Sequence, residues 1–175
     1  SMRMIDSPRI LEVGCGTGTL SIALALELQR AHVSALDIDR AALSIARTKP
    51  GAERVEWIQG RADNPPPEPE SWDCVVISLV LHHLQPDQQS LALVAAHAAL
   101  RPGGTLHVID FGPPRGLLPR LGWPLLQRID GRSNTEPLGR GDLPGMIDAA
   151  GFRERRLRAR FGTVWGTHEQ YSAAS

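Results

Sequence analysis

The sequence has almost no lysine and no surplus of charge. Lys49 is the sole lysine among 19 basic residues, which 19 acidic residues balance to a formal net charge of zero. Such a chain exerts no global long-range pull on nucleic acid or on an anionic membrane. Aromatic residues make up only 5% of the chain. Neither a basic groove nor a row of stacking rings is visible, which argues against nucleic acid as a partner. The two cysteines, Cys15 and Cys74, lack metal-ligand spacing, and a reducing interior is their simpler setting. No apolar run is long enough to span a bilayer, and no secretory leader is visible. A cytoplasmic location is therefore expected. Ser1-Met2 reads as a tag remnant ahead of a native start, and there are no internal repeats. The 175 residues suit a single domain that buries roughly 70% of its unfolded surface.

Glycine, by contrast, is concentrated at one informative place. Residues Ile10 to Gly18 read Ile-Leu-Glu-Val-Gly-Cys-Gly-Thr-Gly, and a helix-compatible stretch follows. Apolar strand, glycine turn and helix are the parts of a nucleotide-binding βα unit. Glycine suits such a turn because it takes backbone angles that side chains forbid, and because it lets a ligand touch bare main chain. Dinucleotide enzymes space these glycines as Gly-x-Gly-x-x-Gly, whereas Gly14, Gly16 and Gly18 are each two apart, with Glu12 two residues before the first.

This pattern resembles the first motif of the Rossmann-like, class I S-adenosylmethionine-dependent methyltransferases. The resemblance implies that amides near Gly16 and Gly18 face the methionine carboxylate, with Gly14 and Cys15 in the same turn. Glu12 would help hold the methionine ammonium through the loop backbone. Three later stretches resemble the family's further motifs in the right order. The strand His32 to Leu36 ends at Asp37, 19 positions beyond Gly18, close to the ~20 expected of a ribose-binding carboxylate. Trp72 to Ser78 reads as a buried strand leading into Leu79-Val80-Leu81-His82-His83-Leu84. Leu100-Arg101-Pro102-Gly103-Gly104-Thr105-Leu106 closes a helix and opens another strand. The resemblance is strong over Ile10 to Asp110 and loose beyond.

Strands alternating with helices imply an α/β fold with a parallel sheet covered on both faces. Strands are expected at Arg9–Val13, His32–Asp37, Val55–Gln59, Asp73–Ser78 and Thr105–Asp110. Helices are expected at Thr19–Arg30, Arg40–Thr48, Pro86–Leu100 and Leu143–Ala150, with Asp39 capping the second. Arg153–Phe161 and Thr163–Tyr171 look like a closing hairpin. The resemblance implies a three-layer Rossmann-like sandwich with a mostly parallel seven-stranded sheet and an antiparallel last strand. Residues 113–142, rich in proline, glycine and arginine, form a long insertion at the ligand-binding edge and are read as a substrate-side lid containing some helix.

Several features have both a sharp and a plain reading. Asn64-Pro65-Pro66-Pro67 resembles the Asn-Pro-Pro-aromatic motif of amino-directed DNA methyltransferases. In those enzymes the motif follows the fourth strand, whereas here it precedes that strand and lacks the aromatic residue, so it reads as a rigid loop. The family's usual adenine-contacting acid is replaced by Arg61 in Gly60-Arg61-Ala62-Asp63. Either Asp63 substitutes from two residues later, beside Ala62, or that contact is lost. Ile38 would lie against the adenine, or is an ordinary core residue. His82 and His83, adjacent on a turn, are expected to point apart and to find no spaced partner, so no metal is expected. One of them could accept a proton from substrate, or both merely shape the pocket. Arg153, Arg155, Arg156, Arg158 and Arg160 could meet an anionic partner, or solvate an outer edge and discourage pairing there. Trp123 and its neighbouring leucines could receive an apolar substrate, touch a membrane, or pack the insertion onto the domain.

The resemblance implies a methyltransferase that uses S-adenosylmethionine, yields S-adenosylhomocysteine and acts on a small-molecule acceptor. The group most resembled includes ubiquinone and menaquinone C-methyltransferases. Ser78 and Leu79 would lie near the methionine end, with His82, His83 and Asp110 facing the substrate. The alternatives are a non-catalytic cofactor-binding or scaffold subunit and an NAD(P)-dependent oxidoreductase. Family members usually carry a helical segment before the first strand. Only about eight residues precede it here, so an open pocket, a reduced core, or closure by a second copy or partner chain is expected.

Overall fold

The computed structural model describes residues 7–64, 69–163 and 166–175. In chain order the elements are β1 (Arg9–Val13), α1 (Thr19–Glu27), β2 (His32–Asp37), α2 (Arg40–Arg47), β3 (Val55–Gln59), β4 (Trp72–Ser78) and α3 (Pro86–Ala99). Then come β5 (Leu100–Gly112), α4 (Leu117–Asp130), α5 (Arg132–Arg140), α6 (Leu143–Ala149), β6 (Arg153–Gly162) and β7 (Thr167–Ala174). Among the described residues the strands form one sheet in the order β3-β2-β1-β4-β5-β7-β6. The chain leaves β1 for β2 and β3 on one side, then crosses to β4 on the other. The carboxyl ends of β1 and β4 therefore flank the switch in strand order, where open α/β sheets hold their ligands. The first five strands are parallel, and β7 runs antiparallel between β5 and β6.

The strand interiors explain the layering. In β1, Ile10 packs in one buried cluster with Ile22, Ala25, Val33 and Leu43, whereas Leu11 packs in the other with Val75, Leu93, Leu106 and Ile147. Successive strand residues point to opposite faces, so alternate positions feed two cores and both faces must be apolar. The edge strand β6 differs. Its arginines are held by acids and a hydroxyl, with Arg155 on Asp148 at 2.9 Å, Arg160 on Glu169 at 2.7 Å and Arg158 donating to Ser172 at 2.6 Å. A charged edge discourages pairing with another chain.

Most element boundaries match the sequence expectations within a residue, but the last strand runs Thr167–Ala174 rather than Thr163–Tyr171, and three further places differ. α1 ends at Glu27, because Leu28 leaves helical angles (φ −100°, ψ 66°). β5 begins at Leu100, which pairs with Trp72; a register shift before Cys74 and Thr105 accommodates the Pro102-Gly103-Gly104 stretch. The expected lid is almost wholly α4 and α5, which contain Pro124 and Pro137. Trp123 ties this pair down. Its ring lies edge-on to Phe111 at 5.8 Å, and it packs so closely on Gly139 that a Cβ there would overlap it. The Pro65-Pro66-Pro67 run lies outside the described residues.

Gly18 shows how tightly the first turn is built. It has φ +75°, and an added Cβ would overlap the Trp57 ring and lie 3.0 Å from Ala46. Steric overlap and a left-handed backbone both penalise a side chain there. Gly18→Ala is expected to lower stability by about 1–3 kcal/mol, measured as a drop in the urea midpoint. An unchanged midpoint would contradict this packing.

Candidate active site

A cavity of about 360 Å³ opens at the carboxyl ends of β1 and β2. Gly14, Gly16, Asp37, Ile38, Ala62, Asp63 and Leu79, all expected from the sequence, line it. Arg61, Val80, His83, Leu84 and Gln88 join them. Sequence reasoning missed Val80, Leu84 and Gln88, because nothing in their residue types marks them apart from core or helix-start positions.

The glycine turn is held by the protein itself. The Gly14 amide donates to the Leu36 carbonyl at 2.7 Å, and the Gly18 amide to the Cys15 carbonyl at 2.8 Å. The Gly16 amide donates to Asp37 Oδ2 at 2.6 Å. The expectation that the Gly16 and Gly18 amides face an anionic ligand is therefore corrected: both already have internal acceptors. Asp37 is the clamp, since its Oδ1 also accepts from the Asp39 amide at 2.8 Å. Each carboxylate oxygen keeps a further lone pair for a ligand hydroxyl. Gly16 has φ +53°, and a Cβ added there would find nothing within 4 Å, so bare main chain meets open space.

Four expected cofactor residues do not line this cavity. Gly18 is a packing glycine. Cys15 is buried, its amide on the Leu36 carbonyl at 3.1 Å, and burial pushes its thiol up to about 12. Ser78 faces a separate groove, with Leu20, Leu24 and His107. Glu12 is buried beneath the turn, where the Ser21 hydroxyl of α1 donates to its carboxylate. It can act on a ligand only through the loop and α1. Asp63 lines the cavity but is bound in a two-pronged pair with Arg61, at 2.9 and 2.7 Å. That guanidinium holds its carboxyl below the usual range.

A second cavity, of about 350 Å³, adjoins the first and shares Leu79 and His83 with it. His82, Phe111, Leu126, Asp130, Thr163 and His168 complete its lining. Leu79 takes φ +57°, a costly conformation for a side-chain-bearing residue, at the boundary between the two. Asp110, expected to face substrate, is fully buried at 0% exposure and lines neither cavity. Its Oδ2 accepts from the Val80 amide at 3.1 Å and the Leu81 amide at 2.8 Å. Its Oδ1 accepts from the Phe111 amide and meets His82 Nδ1, each at 2.8 Å. An acceptor-only carboxylate at Nδ1 places the proton there and leaves Nε2 of His82 basic. Asp110 therefore meets His82 and reaches neither cavity itself.

The two histidines do not point apart as expected. Their ring centroids lie 3.9 Å apart, because both belong to the tight turn Leu81–His83. Asp130 of α4 reaches them, 3.6 Å from His83 Nδ1. One ligand atom from each of His82, His83 and Asp130 lies within 4.8 Å of the others. These are the described residues that could meet a cation, and the sequence hid them because Asp130 comes from the insertion. Burial, then the neighbouring His82, lowers the His83 pKa, so its imidazole is neutral at physiological pH. His168 was also missed. It is buried, its Nδ1 has no hydrogen-bond partner among the described residues, and burial lowers its pKa.

Glu12 yields a pH prediction. Burial pushes its carboxyl from 4.5 up to about 7. The unfolded chain releases this proton near 4.5 while the folded chain keeps it. The stability contribution is thus full below pH 4.5 and is lost as pH rises through about 7. Across that window wild type is expected to lose roughly 3 kcal/mol more than Glu12→Gln, read from urea unfolding. Parallel pH profiles for the two proteins would contradict the assignment.

Comparison with known proteins agrees with the geometry. A family model described as a methyltransferase domain matches residues 10–104. A ubiquinone/menaquinone biosynthesis C-methyltransferase from Syntrophotalea carbinolica is 27% identical over 93% of this chain and 76% of its own length. A demethylmenaquinone methyltransferase from Clavibacter sepedonicus is 34% identical over 71% of this chain, which spans only 49% of that protein. The solved structure of an S-adenosylmethionine-dependent methyltransferase from Methanosarcina mazei is 21% identical. It covers 98% of this chain and 93% of its own, with a TM-score of 0.75, and so shares the fold. With the matched residues running from β1 into β5, the chain belongs to the methyltransferase-domain family, within the class I S-adenosylmethionine-dependent group.

Proposed function

We propose that this protein methylates a small, largely apolar acceptor that carries a hydroxyl group, with His82 accepting the hydroxyl proton. One observation carries this reading. The His82–Asp110 pair, 2.8 Å apart, opens on a cavity that shares Leu79 and His83 with the glycine-turn cavity.

The residues present fit S-adenosylmethionine. The first cavity has the volume of small-ligand sites, open space over Gly16 and a carboxylate, Asp37, at the end of β2. Asp37 would take the ribose hydroxyls, Ile38 and Ala62 would flank the base, and Asp63 would stand nearest its amino group. Gly14 and Gly16 would lie along the amino-acid tail, and Glu12 would support that turn from beneath. When bound, the cofactor supplies a methyl group on a positively charged sulfur that departs as a neutral thioether. The leaving group is therefore good, and the protein's own work is alignment, exclusion of water and removal of the acceptor's proton.

His82 is arranged for that last task. Asp110 holds its Nδ1 proton, so Nε2 can take the acceptor's hydroxyl proton. The electron pair so freed, on oxygen or on a conjugated ring carbon, is the attacking pair. Leu79, Phe111 and Leu126 supply the apolar wall. The relatives named for ubiquinone, menaquinone and demethylmenaquinone support a quinol-like ring as the acceptor class. The insertion 113–142 serves as the lid of this cavity, since Leu126 and Asp130 line it. A cytoplasmic location is supported by the two free cysteines. Among the described residues no helix is long and apolar enough to cross a membrane.

Two substitutions separate the roles. Asp37→Ala is expected to weaken S-adenosylmethionine binding at least about tenfold, from ~1.5–3 kcal/mol per hydrogen bond to a charged group. An unchanged dissociation constant by calorimetry would remove the ribose assignment. His82→Asn should keep cofactor affinity while kcat on a quinol-type acceptor falls ~10²–10⁴-fold. Turnover at the wild-type rate would end the proton-acceptor reading.

A further inference from the structure

The helix α4 turns two unlike faces to its surroundings. Inward, Leu126 is buried and Trp123 packs on Phe111 and against Gly139. Outward, Leu117, Leu121, Leu125 and Ile129 are 80%, 76%, 49% and 67% exposed. Four residues apart each time, they form one ridge along the helix. A single bare leucine needs no explanation, but an unbroken row on one helix marks a surface that meets something apolar.

The charge around the ridge says what that partner is. Arg115, Arg120, Arg128 and Arg132 are all exposed, and no acidic residue occurs between Asp110 and Asp130. Asp130 is turned inward, toward His83, with its side chain 14% exposed. A chain with no net charge therefore presents along α4 a local face that is apolar and positive, and the exposed Glu136 of α5 is paired with Arg140 at 3.7 Å. A second copy docked by this face across a two-fold axis would bring arginine rows together. An anionic bilayer instead accepts both components, with aliphatic side chains among the acyl chains and guanidinium groups at the headgroups.

We propose that the outer face of α4 docks on an anionic lipid surface. The helix then lies between bilayer and acceptor cavity, since Leu126 and Asp130 on its inner side line that cavity with Thr163. A lipid-dissolved acceptor would pass along the helix edge into the site. This last consequence rests on the proposed function, whereas the docking itself rests only on α4.

Vesicle flotation tests it, with phosphatidylcholine alone and phosphatidylcholine mixed with phosphatidylglycerol. Wild type should float with the mixed vesicles, much less with neutral ones, and less again as salt is raised. Leu121→Ser/Ile129→Ser and Arg120→Gln/Arg128→Gln should each weaken binding about tenfold or more. All four positions are exposed, so melting temperature and S-adenosylmethionine affinity should not move, which separates lost docking from unfolding. Absence of wild-type binding to the mixed vesicles would overturn the proposal, as would full binding by the leucine/isoleucine variant. A wild-type dimer by light scattering that this variant dissolves, without vesicle binding, would assign the face to a second copy instead. Turnover of a detergent-dispersed quinol-type acceptor by wild type and His82→Asn reports on the proposed function without vesicles, so failure of docking and failure of that reading are distinguishable.

Discussion

The carboxylate of Asp110 is the point on which the acceptor side of this molecule turns. It is wholly buried near the end of β5 and receives three backbone amides and one imidazole. A buried carboxylate without partners would cost several kcal/mol, on the order that makes such groups rare. Four donors offset that cost, and each of them is thereby fixed. The amides of Val80 and Leu81 set the turn after β4, and that turn sets both histidine rings. Phe111, held by the same oxygen as His82, meets Trp123 edge-on and His168 at a tilt. One charge therefore fixes the His82 ring and, through the Phe111 amide, the side chains packed on that residue.

A parallel arrangement governs the cofactor side. Asp37 ends β2, Asp110 lies two residues before the end of β5, and Asp37 clamps the amides of Gly16 and Asp39. In both places a carboxylate at or near a strand end organises a loop from a neighbouring strand and still faces, directly or through a histidine, the ligand edge of the sheet. The glycine turn is consequently prebuilt, with its amides paired inside the protein. What it offers a ligand is bare main chain beside Gly16 and the free lone pairs of Asp37. Preorganisation of this kind leaves less ordering to be done on binding.

The insertion divides its work by helix face. Trp123 and Leu126 fasten α4 to the domain, while its leucine ridge and arginines look outward. An amphipathic helix normally buries its apolar stripe. Here two apolar stripes exist, and among the described residues only the inner one is buried. The inner side of α4 lines the second cavity, so that cavity and the outer ridge lie on opposite sides of one helix.

The sequence by itself determined the βα units and the glycine turn. It also placed Asp37 at the end of β2 and the histidines just beyond β4. These follow from local rules: apolar runs with short period, glycines at fixed offsets, and a carboxylate at a strand end. It also indicated the antiparallel closing strands, which β6 and β7 form. Only the tertiary structure decided where α4 lies. Asp130 and Leu126 come to the cavity, and His168 to Phe111, through contacts distant in sequence that no periodicity encodes. It decided as well that Asp110 meets His82 and reaches neither cavity, that Glu12 and Gly18 serve the turn from below, and that Ser78 faces elsewhere. The physical reason is common to all of these. A residue's type limits the bonds it can make, but its partners depend on which strand ends and helices packing brings within hydrogen-bond reach.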